Sequence, residues 1–178
     1  MNSQFKYHYE TKAILQASPQ SAFDYLNDHR NLSAHMGKSS WMMAGSKMDV
    51  KLDEKQGQGV GAEIILYGKM MGIELFVREF VTVSESPKKK IWETSGPQKL
   101  LILDQYRMGF ELIPAGENSE LKVFIDYNLP HGAQKILGVL FSKFYARWCT
   151  EQMAKDAKMY FSKRLHFATG EKSLAARR

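Results

Sequence analysis

The feature that most constrains this fold is a long proline-free segment near the C-terminus. From Ala133 to about Arg164 the chain has no proline and one glycine, Gly138. Apolar residues recur there at three- and four-residue steps, and polar residues occupy the opposite stripe. The apolar stripe includes Tyr145, Cys149, Met153, Ala157 and Tyr160. This spacing predicts a long amphipathic helix with one buried face.

Six segments before this helix are rich in β-branched and aromatic residues, and turn sequences separate them. They are Met48–Leu52, Ala62–Tyr67, Ile73–Val83, Lys90–Thr94, Leu101–Ile113 and Leu121–Leu129. A further strand is predicted at Phe5–Leu15, where apolar and charged residues nearly alternate. The short connections favour an antiparallel meander, because parallel neighbours need long crossovers.

Two short helices are predicted between the first strand and the meander. Ser18-Pro19 is typical of a helix N-cap followed by the first helical residue. A second, less marked helix is expected from Asn31 to about Met36. The order of elements predicts an α+β fold, in which a curved antiparallel sheet of six or seven strands surrounds the C-terminal helix and can enclose a cavity.

The composition excludes several classes of protein. With 178 residues, 44% of them hydrophobic, the chain is too apolar for a disordered protein and fits one domain. Its single cysteine, Cys149, excludes an internal disulfide. Met1–Glu10 does not resemble a signal peptide, and the longest apolar run, Ile136–Phe141, is too short to cross a bilayer. We expect a cytoplasmic domain over 1–165 and a basic, flexible tail over 166–178.

The net charge of +6 is concentrated near the C-terminus. Residues 131–178 hold ten Lys and Arg against three Asp and Glu, whereas residues 1–130 are close to neutral. We expect a solvated helix face that makes, at most, weak contact with an anionic membrane. The chain has no recognisable nucleic-acid motif, so we expect no nucleic-acid partner. Lys88–Lys90 is interpreted as a solvated turn.

Three local patterns resemble the START-like (SRPBCC) superfamily, and most closely its polyketide cyclase/dehydrase and lipid-transport branch. They are ASPQSAFDYL at 17–26, YRMGFELIP at 106–114 and YNLPHG at 127–132. The resemblance covers about residues 5–165 and implies the helix-grip fold, with a ligand pocket between the sheet and the long helix. Members of this superfamily range from lipid carriers to cyclases, and it has no common catalytic residue set.

Metal and phosphate sites are disfavoured by the sequence. The five histidines are scattered without metal-binding spacing, so we expect no metal and no cofactor. The glycine-rich stretch Gly57–Gly61 lacks the Lys-Ser/Thr of a phosphate-binding loop and precedes a strand, which favours a plain hairpin over a ligand-binding role. Cys149 lies on the apolar stripe and is expected to be an inert core thiol.

The aromatic and methionine residues supply the candidate ligand-binding set. In an ordinary core they would pack together, whereas in a helix-grip fold the inward-facing ones line the pocket. The candidates are Trp41, Tyr67, Phe76, Trp92, Tyr106, Met108, Phe110, Tyr127, Phe141, Tyr145, Trp148 and Met153. They favour a carrier or sensor of a hydrophobic small molecule, such as a lipid, an isoprenoid or a polyketide-like compound. We expect a monomer or a homodimer.

The alternative is a cyclase or dehydratase that uses acid/base groups in the same pocket. The candidate catalytic residues are Asp104, Tyr106 and Arg78, on the assumption that all three point inward. Asp104 shares a predicted strand face with Tyr106, and Arg78 alternates with aromatic residues on another strand. The competing interpretation, which we favour for Asp104, places its side chain in solvent near a strand end.

Overall fold

The molecule has two layers, a seven-stranded antiparallel sheet and a long C-terminal helix. The computed structural model describes the backbone of residues 5–33, 47–70 and 72–175, and the side chains of 5–33, 48–69 and 72–165. The strands are β1 (Tyr7–Leu15), β2 (Lys47–Leu52), β3 (Glu63–Met70), β4 (Ile73–Glu85), β5 (Lys89–Thr94), β6 (Tyr106–Ala115) and β7 (Asn118–Tyr127). The helices are α1 (Pro19–Asn27), α2 (His29–Leu32) and α3 (Lys135–Ala175), the last preceded by a 3₁₀ turn at Gly132–Gln134.

The strands lie in the order β1-β7-β6-β5-β4-β3-β2. The predicted meander is therefore present, and β1 pairs antiparallel with β7, the last strand of the meander. Because β1 and β2 are at opposite edges, the chain between them must pass from one edge of the sheet to the other. Helices α1 and α2 form the start of this connection. A register shift at Val81–Val83 of β4 adds local curvature to the sheet.

The start of α1 agrees with its sequence signals. The Ser18 hydroxyl accepts a hydrogen bond from the backbone N–H of Ser21 at 3.3 Å, and Pro19 is the first helical residue. The predicted apolar stripe, Ala22, Phe23 and Leu26, is buried. The second helix begins earlier than expected, at His29 instead of Asn31, and the predicted positions 34–36 lie outside the described residues.

Strand β6 begins at Tyr106 and not at Leu101, as the sequence predicted. Residues 101–105 form an irregular connection in which the side chain of Leu103 is buried. An apolar run of this kind cannot be distinguished from a strand by periodicity alone. Here its apolar residues cover one end of the core instead of extending the sheet.

Helix α3 packs chiefly against β1 and β7. The hydroxyls of Thr11 and Thr150 lie 2.9 Å apart and join β1 to the helix at its middle. The helix continues to Ala175, so the predicted boundary at residue 165 falls within it. The predicted α+β fold, with a curved antiparallel sheet around a long C-terminal helix and two short helices after the first strand, is confirmed.

Candidate functional site

A cavity lies between the sheet and α3. Its free volume is about 30 Å³, enough for about two water molecules and far below the ~300 Å³ of a typical small-molecule pocket. Ten of its thirteen lining side chains are apolar or aromatic, and the His29 ring and the Tyr106 hydroxyl lie next to one carboxyl, that of Glu79. The lining residues are His29, Leu32, Ser33, Leu66, Glu79, Trp92, Leu103, Tyr106, Met108, Ile125, Tyr145, Cys149 and Met153.

The central polar residue is Glu79, at an inward-facing position of β4. The buried row of this strand is Leu75, Val77, Glu79 and Val81, in strict alternation with more exposed residues. Sheet geometry therefore directs a carboxyl into a row that is otherwise aliphatic. Only 1% of Glu79 is exposed to solvent.

Three other side chains surround the Glu79 carboxyl. The Tyr106 hydroxyl donates a short hydrogen bond to Oε1. Oε2 makes no hydrogen bond with any residue that the structure describes, and His29 Nε2 lies 3.7 Å from it. The His29 ring is in turn edge-on to Trp92, with ring centroids 5.1 Å apart.

Burial dominates the acid/base behaviour of this cluster. It raises the pKa of Glu79 to about 7, although the Tyr106 hydroxyl, the Trp92 indole and the charge of Lys90 act in the opposite direction. Burial likewise raises the pKa of Tyr106, and the neighbouring Glu79 raises it further. A carboxyl in this state can exchange a proton near neutral pH, which few surface carboxyls do.

Lys90 is a buried cation near the cluster, and its position corrects the sequence interpretation of a solvated turn. Its side chain is fully buried, and Nζ donates hydrogen bonds of 2.8 Å to the carbonyls of Asn27 and Gly57. Burial lowers the pKa of Lys90 to about 8, while Asp28 and Glu79 oppose this shift. Lys90 thus ties the end of α1 to the glycine-rich β2–β3 connection.

Helix α3 closes the cavity with Tyr145, Cys149 and Met153. Burial raises the pKa of the Cys149 thiol to about 12, so the thiolate is scarce at neutral pH. Burial also raises the pKa of Tyr145 above its ordinary value. These three residues follow one another at four-residue steps, as the predicted apolar stripe required.

Five of the twelve predicted ligand-binding residues line this cavity: Trp92, Tyr106, Met108, Tyr145 and Met153. Phe110 and Tyr127 are buried elsewhere in the core, where they pack against Phe23 and Tyr7 at centroid distances of 5.7 and 5.4 Å. Trp148 is half-buried and packs on Tyr145, with a centroid distance of 5.9 Å. Both Phe110 and Tyr127 therefore support the core, not the cavity wall.

The remaining four lie outside the cavity wall. Tyr67 and Phe76 are on the opposite face of the sheet, where they border an open surface groove with Asp49 and Lys99. Phe141 is half-exposed on α3. Trp41 lies outside the residues that the structure describes. For Tyr67 and Phe76 the expected inward orientation is corrected, because aliphatic residues take the inner positions of β3 and β4.

The structure does not bring the three candidate catalytic residues together. Arg78 points away from the cavity, pairs with Glu63 and lies 5.1 Å from the Phe80 ring centroid. Asp104 precedes β6, is about one-third exposed and has His131 Nε2 at 3.7 Å. Only Tyr106 faces the cavity. The inward orientation assumed for Arg78 and Asp104 is therefore corrected, and the favoured interpretation of Asp104 agrees with its position.

Glu79 was missed by the sequence interpretation, although a signal for it exists. Val77 and Val81 flank it at period two, so any inward assignment of these valines also directs Glu79 inward.

Among the residues described, no group of three or more His, Cys, Asp or Glu is arranged to hold a metal ion. No helix in the described part of the chain is long and apolar enough to cross a membrane.

Comparison with known proteins identifies the architecture. No family model and no curated protein matches the chain. Among solved structures, the Zhui aromatase/cyclase from Streptomyces sp. R1128 is similar to it at a TM-score of 0.68 and 10% identity, over 89% of this chain and 95% of that one. Major latex-like protein 151 from Panax ginseng is similar at 0.55 and 9%, over 87% and 97%.

A third similar structure is norcoclaurine synthase from Thalictrum flavum in complex with dopamine and hydroxybenzaldehyde. Its TM-score is 0.60 at 14% identity, and the match covers 88% of this chain and 87% of that one. Identities this low establish a common fold and leave the activity of each protein to its own residues.

Proposed function

Because this chain has the helix-grip fold of the START-like superfamily, we propose that it binds a hydrophobic small molecule between the sheet and α3, as a carrier or sensor. The ligand class is a lipid, an isoprenoid or a polyketide-like compound. The observation that carries the proposal is an apolar cavity whose polar groups converge on one buried carboxyl, Glu79. Such a site provides apolar contact for affinity and one polar end for orientation.

The ligand must enlarge the cavity when it binds. The free volume of about 30 Å³ is too small for a lipid or a ring system. Met108 and Met153 line the wall, and unbranched thioether side chains can change rotamer at low cost. Leu103 belongs to the irregular segment before β6, so its movement breaks no strand pairing. We expect these three side chains to move on binding.

The polar end of the cavity favours a ligand with a hydroxyl or carbonyl group. Glu79 Oε2 is buried and can accept a hydrogen bond in its ionised form or donate one in its protonated form. A hydroxyl or carbonyl that reaches Oε2 would satisfy this atom, whereas a pure hydrocarbon would leave it without a partner. The proposal therefore includes a preference for lipids with one oxygen function.

A titration with an apolar fluorescent dye tests the proposal. The wild-type protein should bind the dye saturably, and a long-chain alcohol should displace it. Cys149→Leu adds bulk at the cavity wall and should weaken dye binding at least tenfold, because the volume it fills is the volume the dye must enter. Lys155→Leu, on the exposed side of the same helix, is the matched control and should leave dye binding unchanged. Equal effects of the two substitutions would contradict binding in this cavity.

A second candidate function is acid/base catalysis in the same cavity, of the cyclase or dehydratase type. The pair of Glu79 and Tyr106 favours it: the ionised Glu79 can take a proton at Oε2 from the carbon next to a carbonyl, and the Tyr106 hydroxyl, once it leaves Oε1, can donate its hydrogen bond to the carbonyl oxygen. Turnover of a poly-β-keto substrate that is lost in Glu79→Gln and kept in Asp104→Asn would establish this activity. Turnover unaffected by Glu79→Gln would exclude Glu79 as the base.

We also propose a cytoplasmic location, a monomeric or homodimeric state, and a division into a ligand-binding domain over 1–165 and a basic tail over 166–178. Sedimentation of the purified chain, before and after removal of 166–178, tests the last two. A truncated chain that still binds the dye would support the division.

A further inference from the structure

In the first turns of α3, small residues face the core and large apolar residues face solvent. The inner face of these turns consists of small residues, Gly138, Ser142 and Ala146, at four-residue steps. A Cβ atom at Gly138 would lie 2.6 Å from Pro130 Cδ, so the helix backbone packs directly against the preceding turn. A larger residue at Gly138 would therefore clash with this turn.

The large apolar residues of these turns face outward. Ile136, Val139, Leu140 and Phe144 are 68%, 62%, 55% and 67% exposed, and they share a surface with the half-exposed Phe141. A surface helix normally turns its apolar stripe toward the core. A contiguous exposed apolar patch of this kind marks an interaction surface. We refer to the exposed side of residues 135–147 as the α3 docking face.

The charges on the docking face are all positive. Lys135, Lys143 and Arg147 are exposed, and the sequence has no Asp or Glu between Asp126 and Glu151. Arg147 pairs with Glu151, one turn farther along α3, at 2.8 Å, so the two lysines carry the positive charge of this face. At about 100° per residue, Lys143 and Arg147 lie within about 20° of Ile136 around the helix axis. Cations and apolar side chains are therefore interleaved on one face instead of occupying opposite faces.

This combination selects an anionic lipid surface over a second copy of the chain. Two copies that met through this face would bring their lysines together without acidic partners from it. At an anionic bilayer, by contrast, the apolar side chains enter the interfacial region while the long lysine side chains extend to the lipid phosphates. We propose that the α3 docking face binds anionic membranes, with the start of α3 lying along the bilayer surface.

The inner side of the same turns adjoins one wall of the cavity. The Ile102 carbonyl lies 3.2 Å from the Cβ position of Gly138, and the next residue, Leu103, lines the cavity. Membrane contact on the outer side of these turns would therefore involve the part of α3 against which the segment before β6 packs. The docking proposal stands independently of ligand binding, since it rests only on the exposed face of α3.

Sedimentation with vesicles tests the proposal. We expect the purified chain to bind phosphatidylcholine vesicles that contain phosphatidylserine and to bind phosphatidylcholine alone at least tenfold less. Lys135→Glu/Lys143→Glu should reduce binding at least tenfold, because each lysine near an anionic surface contributes about fivefold. Leu140→Ser/Phe144→Ser should reduce it to a similar extent through lost apolar burial. Circular dichroism verifies that all variants are folded.

The matched control is Lys155→Glu/Lys158→Glu, the same charge change farther along α3. It should weaken vesicle binding less than threefold. Weakening equal to that of Lys135→Glu/Lys143→Glu would overturn the proposal, since binding would then depend on total charge and not on this face. So would a dimer in the absence of vesicles that Leu140→Ser/Phe144→Ser dissociates, because the face would then be covered by a second copy.

Dye binding distinguishes this proposal from the proposed function. The docking variants should bind the apolar dye as the wild type does, and Cys149→Leu should bind vesicles normally. A wild-type protein that binds vesicles but not the dye would contradict the ligand site alone. A wild-type protein that binds the dye but not vesicles would contradict the docking face alone.

Discussion

The hydroxyl of Tyr106 donates a hydrogen bond to Oε1 of Glu79, and both side chains are buried inside the cavity. The two residues come from β6 and β4, which are separated in the sheet by β5. In the sheet register Thr94 of β5 lies between them: it pairs with Glu79, and its hydroxyl accepts a hydrogen bond of 3.0 Å from the backbone N–H of Tyr106. A buried polar pair is costly unless its atoms are hydrogen-bonded. Oε2 of Glu79 makes no hydrogen bond with the described residues, so a ligand can bind to it.

Protonation of Glu79 should make stability depend on pH. In the unfolded chain this carboxyl titrates near 4.5, and in the folded protein near 7. Between these values the folded state holds one more proton, so stability falls as pH rises, by roughly 3 kcal/mol in total. We expect urea unfolding to show this loss in the wild type and not in Glu79→Gln.

Glu117→Gln is the control for this effect, because Glu117 lies exposed in the β6–β7 turn. It should retain the pH dependence of the wild type. If the unfolding free energy of Glu79→Gln fell with pH as it does in the wild type, Glu79 would not be the source of the pH dependence. Its carboxyl would then be ionised in the folded protein at acidic pH, contrary to its burial.

Tyr106→Phe should raise the pKa of Glu79 further. The hydroxyl favours the ionised carboxylate, so its loss makes ionisation less favourable. The midpoint of the stability loss should move to higher pH, with an overall destabilisation of about 1–3 kcal/mol. Tyr127→Phe, in another part of the core, should leave the midpoint in place. A downward shift in Tyr106→Phe would contradict the assigned direction of the hydrogen bond.

Lys90→Met should destabilise the fold by about 2–4 kcal/mol. The substitution keeps most of the side-chain volume but leaves the carbonyls of Asn27 and Gly57 without their donor. Lys88→Met, at an exposed position of the same hairpin, should change the unfolding free energy by less than about 0.5 kcal/mol. Comparable losses from both would show that Lys90 does not join α1 to the β2–β3 connection.

The Cys149 thiol should be unreactive in the folded protein. It is the single cysteine of the chain, it is buried, and burial raises its pKa to about 12. We expect a thiol-specific reagent to label it only at the rate of unfolding, with a large increase in urea below the unfolding midpoint. Rapid labelling in native buffer would indicate that solvent reaches the cavity freely.

The fold was predictable because its signals are local and consistent with one another. The Ser18-Pro19 cap, the turn residues between strands and the stripe from Tyr145 to Tyr160 each specify one element. Their order then leaves few arrangements for a sheet with one long amphipathic helix. The resemblance to START-like proteins led to the same architecture, and the structural similarities confirm that architecture.

The candidate site was less predictable because it depends on which strand face is inward. If the aromatic residues of β4 faced inward, Phe76 and Arg78 would point into the cavity and Glu79 would point to solvent. In the sheet the aliphatic row of β4 is buried instead, so the parity is reversed. A shift of one residue exchanges the two faces of a strand completely. When both faces carry apolar residues, composition alone does not determine which face is inward.

Lys90 and the start of α3 show a second limit of sequence interpretation. In Lys88–Lys90, three consecutive lysines indicate solvent, yet tertiary contacts give the last of them two carbonyl partners inside the core. In α3, the aromatic Phe141 was expected to line the pocket, yet it is half-exposed. The small inner residues Gly138, Ser142 and Ala146 instead let the backbone approach the core and leave the larger ones outside.

Native mass spectrometry tests the central claim, a hydrophobic ligand in the Glu79 cavity, most directly. The wild-type protein, purified without detergent, should retain an adduct with the mass of a lipid-like molecule that carries an oxygen function. Cys149→Leu should lose most of this adduct, and Lys155→Leu should keep it. A wild-type protein without any adduct, which also takes up none from a mixture of long-chain alcohols and isoprenoids, would contradict the account.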